Sequence, residues 1–158
     1  MAAIEVRTSV EIEAPPERVF DAAVDPCRLD EWVTTHRSLV DEPEMPLDEG
    51  TEFRQKLRVA GLSFKVRWKI TRMERPSRIE WEGEGPGGSM ARVCYSLEPI
   101  AGGTRFDYVN LFELPGGKLA AKAAGMIGED KGREEAERSL ANLKQLLESE
   151  SGTESAAA

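Results

Sequence analysis

The 158-residue sequence predicts an α+β fold in which a seven-stranded, curved antiparallel sheet wraps around a long C-terminal helix, with two short helices after the first strand. Three observations carry that expectation. Apolar residues alternate with charged ones through much of the first two thirds of the chain, the period-2 signature of strands with one buried face. Turn signals break the alternation at short intervals, at Ala60-Gly61, Pro76-Ser77, the run Gly83 to Gly88, and Gly102-Gly103. After Gly117 the period becomes helical, with Ala136, Leu140, Leu143 and Leu147 on one stripe.

The elements follow in order. Val6, Thr8, Val10 and Ile12 alternate against Glu5, Arg7 and Glu11 and form the first strand. Pro15 and Pro16 then stand where a helix starts, and Val19, Phe20, Ala23 and Val24 recur at helical spacing until Asp25-Pro26 ends it. A second short helix spans about Pro26 to Trp32, and His36 to Val40 reads as a strand entering an acidic, Pro-containing loop. Phe53, Gln55, Leu57 and Val59 alternate against Arg54, Lys56 and Arg58. Across the Ala60-Gly61 turn, Phe64, Val66, Trp68 and Ile70 alternate against Lys65, Arg67 and Lys69. Three further strands centre on Ile79 and Trp81, on Val93, Tyr95 and Leu97, and on Phe106, Tyr108, Asn110 and Phe112. In the C-terminal helix the stripe of Leu119, Ala123 and Met126 is out of phase with the later one. Gly125, Gly128 and Gly132 each cost a helix interior about 1 kcal/mol relative to alanine, so a kink or break and a looser first half are expected. One domain over 1–148 and a disordered tail over 149–158 complete the organisation.

Composition narrows the function classes. A formal net charge of -8 opposes binding to nucleic acid phosphates and acidic membranes. The two cysteines, Cys27 and Cys94, form no CxxC spacing and no disulfide framework, which suits a reducing cytoplasm. Charged residues from Glu5 to Glu13 rule out a signal-peptide core there, and no stretch approaches a membrane span. No GxSxG, HExxH or zinc-ligand spacing occurs, so neither a metal site nor a cofactor is expected. The glycine-rich run Gly83 to Gly88 joins strands and opens no helix, so it lacks the context of a phosphate cradle.

The opening Val10-Glu11-Ile12-Glu13-Ala14-Pro15-Pro16-Glu17-Arg18-Val19-Phe20, followed by Asp25-Pro26 and Trp32, resembles the entry segment of the polyketide cyclase/dehydrase group. That group lies within the START-like, birch-pollen-allergen-like (SRPBCC) superfamily of helix-grip folds. The likeness continues through Gly102-Gly103-Thr104 to Leu143-Lys144-Gln145-Leu146-Leu147, about the whole domain. A narrower likeness links Trp32-Val33-Thr34-Thr35-His36 to actinobacterial members described as toxins of toxin-antitoxin pairs. The resemblance implies a cavity between sheet and helix for a small hydrophobic molecule of lipid, polyketide or aromatic type. It supplies no catalytic motif, and fold membership does not decide activity.

The cavity candidates are Gln55, Phe64, Trp68, Arg72, Trp81, Tyr95, Tyr108, Asn110, Phe112 and Met126. The aromatic members serve equally as core. Gln55 and Asn110 interrupt apolar faces, and a buried amide must find a partner in the protein, in water or in a ligand. Arg72 continues the inward phase of Trp68 and Ile70 and would meet an anionic group at the rim, unless it snorkels to solvent. No residue is assigned a catalytic role. In a cyclase or dehydratase reading, Tyr95, Tyr108 or Asn110 would polarise an oxygen, with His36 or Arg72 assisting. Counting from the Ala60-Gly61 turn puts Lys56 opposite Lys65 and Arg54 opposite Arg67. This is either a mixed charge ladder completed by Glu80, Glu82 and Glu84, or a docking face for an acidic protein partner.

Overall fold

A computed structural model describes residues 2–59, 61–116 and 128–157. Its elements are β1 (Ala2–Ile12), α1 (Pro16–Val24), a 3-10 turn (Pro26–Arg28), α2 (Leu29–Trp32), β2 (His36–Asp41), β3 (Glu52–Val59), β4 (Leu62–Glu74), β5 (Arg78–Glu84), β6 (Met90–Ile100), β7 (Gly103–Leu114) and α3 (Glu129–Ala157). The strands form one antiparallel seven-stranded sheet in the order β1-β7-β6-β5-β4-β3-β2, as the alternation predicts. β1 closes the far edge beside β7, and each remaining neighbour is a hairpin partner in chain order. Among the described residues no helix is long and apolar enough to cross a membrane.

Local chemistry sets the corners. α1 starts with proline at its first turn, where a missing N–H is harmless, and buries Val19, Phe20, Ala22, Ala23 and Val24. The Asp25 carboxylate accepts from the Cys27 N–H at 2.9 Å and starts the following turn. Gly61 and Gly102 adopt φ of 82° and 81° in the hairpins after β3 and β6. At the second of these hairpins a Cβ on Gly103 would stand 2.1 Å from the Ile12 carbonyl oxygen. Beside it the buried Thr104 hydroxyl donates to the Ala14 carbonyl at 2.7 Å. The Gly-Gly-Thr sequence therefore lets the hairpin close on the β1–α1 corner.

The helix α3 is fastened mainly at its C-terminal half. Ala136, Leu140, Leu143 and Leu147 are buried, the last two completely. Lys144 Nζ donates to the Glu11 carbonyl at 2.7 Å, and the Glu13 N–H donates to Glu148 at 2.9 Å. Glu150 pairs with Arg18 at 3.3 Å and Arg28 at 2.6 Å. The helix backbone continues through Ala157, so residues 149–157, expected from sequence to lack structure, extend it. The segment contains no proline, and the Glu150 ion pairs hold the turn from which the extension grows, despite Gly152 and Thr153.

The register of β3 and β4 is the one counted from the turn: Glu52 opposite Lys69, Arg54 opposite Arg67, Lys56 opposite Lys65. On the outward face Arg54 pairs with Asp41 at 2.5 Å, and Arg67 pairs with Glu84. Among the described residues, Lys56 and Lys65 make no ion pair. Ion pairs at Arg54 and Arg67 thus flank an unpaired Lys56–Lys65 couple on this face.

Pairing is irregular in β2, between His36 and Ser38 and between Leu39 and Asp41, and in β4. A bulge in β4 between Ile70 and Arg72 shifts the pairing with β5, so the residue after the bulge that turns inward is Met73. Arg72 consequently points to solvent and pairs with Glu74 at 2.7 Å, which corrects its expected place at a cavity rim. The glycine-rich connection is also shorter than expected, since Gly83 and Glu84 are the last residues of β5.

Candidate functional site

The inward faces of the strands leave a cavity of about 150 Å³ beneath α3. Its floor is a row of residues in register across three strand pairs: Trp81 opposite Val93, Val93 opposite Asn110, and Asn110 opposite Val6. Adjacent rows contribute Trp68 and Phe112 on one side and Tyr95 and Tyr108 on the other. The helical wall comes from Gly132, Glu135, Ala136, Ser139 and Leu140, and α2 adds Leu29 and Trp32. A Cβ on Gly132 would lie 2.9 Å from Val6 Cγ2, so glycine lets α3 close on β1 at this point.

Of the ten sequence candidates, Gln55, Trp68, Trp81, Tyr95, Tyr108, Asn110 and Phe112 line the cavity together. Phe64 packs against the core without lining it, because it sits nearer the β3–β4 turn, opposite Leu57. Arg72 is outside, and Met126 lies outside the described residues. The stripe containing Leu119 and Ala123 and the glycine at 125 also lie there. Sequence reasoning missed Trp32, Glu135 and Ser139 as wall residues. The available signal was position: Gly132, Glu135 and Ser139 flank the Ala136–Leu140 stripe at helical spacing.

A hydrogen-bonded relay supports one wall. Trp68 Nε1 donates to Gln55 Oε1 at 2.8 Å, and Gln55 Nε2 lies 2.8 Å from His36 Nδ1. An amide nitrogen only donates, so His36 Nδ1 accepts and its proton resides on Nε2. Turning the Gln55 amide over would leave the indole N–H facing another donor. Burial holds the His36 pKa below its ordinary value, with Asp30 opposing and Arg37 reinforcing that shift. Gln55, for which a protein, water or ligand partner was open, thus spends both ends of its amide on protein. His36, an assisting group in the cyclase reading, is bonded to Gln55 instead. A Cβ on Gly83 would fall 2.6 Å from the Trp68 ring, so glycine opposite Trp68 makes room for the indole.

The helical wall is anchored by a second polar group. The Thr34 N–H donates to Ser139 Oγ at 3.1 Å, and the Thr34 hydroxyl donates to Glu135 at 2.5 Å. Glu135 is the ionisable carboxylate of the lining, and Arg138 stands 3.8 Å from it.

A third set of polar groups is unsatisfied. Among the described residues, Trp32 Nε1, Trp81 Nε1 and Asn110 Oδ1 are buried without a hydrogen-bond partner. Asn110 Nδ2 donates to the Tyr108 hydroxyl at 3.0 Å. Whichever way that amide is turned, one end serves Tyr108 and the other is unpaired. Each unpaired buried group costs about 1–3 kcal/mol, so three beside one cavity is a concentrated penalty. Burial pushes the Tyr95 phenol well above its ordinary pKa and raises that of Tyr108, an environment that disfavours charge. Among the described residues no cluster of His, Cys, Asp and Glu is arranged to hold a metal ion.

The comparisons agree on the fold and on one family. The model of one family, described as polyketide cyclase / dehydrase and lipid transport, matches residues 3–148. The chain belongs to this family. An uncharacterized protein of Mycobacterium tuberculosis is 27% identical over 150 residues, covering 92% of this chain and 99% of its own. A second protein of that organism, named a toxin, is 27% identical over 136 residues, covering 85% and 92%. The crystal structure of protein CV1439 from Chromobacterium violaceum has a TM-score of 0.70 at 20% identity, covering 92% of this chain and 98% of that one, and shares its fold. Membership of the family agrees with the helix-grip likeness read from the opening segment and the Gly-Gly-Thr hairpin.

Proposed function

We propose that the protein binds a small hydrophobic molecule in the cavity between sheet and helix, as a carrier or binding protein. The observation that carries this reading is the cavity itself, walled by aromatic and aliphatic side chains with a few convergent polar atoms, the usual composition of a ligand site. An apolar void near this size accommodates a molecule about as large as benzene in other proteins. Family membership supports the reading. A cyclase or dehydratase role would ask Tyr108 and Asn110 to polarise a carbonyl. Among the described residues, Glu135 of the lining is bonded to Thr34, and His36 is bonded to Gln55 and does not line the cavity, so neither is free to act in an acid–base pair.

Filling the cavity tests the proposal. Ala136 is buried on the helical wall, and Ala136→Phe would place a ring in the void. Titration with ethylbenzene, followed by intrinsic tryptophan fluorescence, should show saturable binding to the wild type and a loss of about tenfold or more in the variant. Circular dichroism should show both chains folded. Equal binding by the two, or none by the wild type, would refute the assignment of this cavity as the ligand site.

A further inference from the structure

Two hydrogen bonds of 2.8 Å tie the lone histidine of the sequence to the cavity wall. Gln55 and Trp68 line the cavity, whereas His36, half-buried on β2, stands outside the lining. With a neutral imidazole the donors and acceptors match. The Trp68 N–H meets Gln55 Oε1, and the Gln55 amide N–H meets His36 Nδ1. A proton on Nδ1 removes that match, because Gln55 then stands between two donors and offers them one acceptor, its own Oε1. Turned one way, the amide sets its N–H groups against the imidazolium. Turned the other, it serves the imidazolium and strands the Trp68 N–H. Gln55 and Trp68 are 4% and 7% exposed, so solvent does not replace the bond that is lost.

Resting on the hydrophobic-binding reading of the same cavity, we propose that ligand binding is linked to the protonation of His36 through Gln55 and Trp68, the neutral imidazole favouring the bound state and the imidazolium opposing it. His36 is then a positioning residue, acting on the ligand through the indole that the ligand packs against. A tethered indole presents a wall already shaped for binding, whereas a released one must be ordered again when the ligand enters. The charged groups that act on His36 are Asp30 from α2, which favours the proton, and Arg37 on its own strand, which opposes it. From β3 the neutral Leu57 and Gln55 meet it, while Lys56 and Arg58 lie on the other face of the sheet. α3 brings Glu135 to Thr34, two residues earlier, where that carboxylate is bonded. Linkage is reciprocal: an occupied cavity holds the proton off His36 by the same factor by which the proton weakens binding.

Ethylbenzene, which carries no charge and does not titrate, serves as the probe. Its affinity for the wild type, measured by calorimetry, should fall about threefold or more between a pH well above the His36 midpoint and one below it. Saturating ethylbenzene should in turn lower the midpoint of the His36 ring resonances by about half a pH unit or more. His36→Asn keeps a side-chain acceptor within reach of Gln55 but cannot titrate. Trp68→Phe leaves His36 free to titrate but removes the donor that competes for Gln55. In each variant the ratio of the two affinities should drop to about one, whatever the affinity itself. Equal wild-type affinities at the two pH values, a His36 midpoint indifferent to ethylbenzene, or a ratio that persists in His36→Asn would overturn the linkage while leaving the cavity as the ligand site. No binding at either pH would overturn both readings. If a variant fails to fold, the two wild-type measurements decide alone.

Discussion

The two ends of the space between sheet and helices are built from the same alternating strands, yet one is packed solid and the other is open. At the solid end α1 lays Val19 and Phe20 over Ile12, Ile79 and Phe106, and Leu143 and Leu147 of α3 complete a core with almost no accessible surface. At the open end the floor is Trp81, Val93 and Asn110, the wall is Gly132, Ala136 and Ser139, and polar side chains are enclosed with the apolar ones. What differs is the covering layer. α1 inserts bulky side chains at the first end, whereas at the second α3 presents small residues at the corresponding turns. Period-2 patterning places a side chain on the inner face; the residue opposite decides whether it becomes core or cavity wall.

That contrast can be broken at either end, and the largest effect belongs to the solid one. Phe106→Ala removes a ring with no exposed surface and should cost about 3–5 kcal/mol in urea denaturation. The folded fraction should still bind ethylbenzene. A cost comparable to that of a surface substitution would show that the end is not tightly packed.

Gln55→Leu addresses the open end with an intermediate effect. The change strands the Trp68 N–H in a buried place and deprives His36 of its donor, and should cost about 1–3 kcal/mol. A neutral or stabilising result would mean that the relay does not hold this wall.

The smallest effect is the pH dependence from His36. Its folded pKa is held below the ordinary value of 6.5, chiefly by burial. The unfolded chain therefore binds the proton more readily than the folded one, and stability rises with pH across the interval between the folded value and about 6.5. Above that interval this contribution is fully present, and it is lost as the pH falls. The ring resonances of the lone histidine should titrate with a midpoint below 6.5 in the folded protein. A midpoint at or above that value would contradict the burial of the ring.

Legibility in the sequence followed the range of the interaction. The register of β3 against β4 could be counted from Ala60-Gly61, because a tight turn determines every pair beyond it. Arg72 could not be placed, because nothing in Thr71 or Arg72 announces the bulge that turns Arg72 outward. Gln55 and Asn110 were recognisable as polar residues on apolar faces, but their fates differ for reasons outside their own strands. Gln55 meets Trp68 across the hairpin and His36 on β2, whereas Asn110 meets one tyrosine and leaves the other end of its amide unpaired. Glu135 and Ser139 were hidden because a helical stripe read from its leucines has edges that only docking defines.

By itself the sequence determined the class of fold, seven strands in one antiparallel sheet, and a closing helix whose leucine stripe is buried. Periodicity and turn chemistry are local properties and survive without knowledge of what packs on them. The tertiary structure decided which inward residues became core and which a cavity wall, and among the described residues it left two indole N–H groups and one end of the Asn110 amide unpaired. Those outcomes depend on distances between residues far apart in the chain, which alternation alone does not contain.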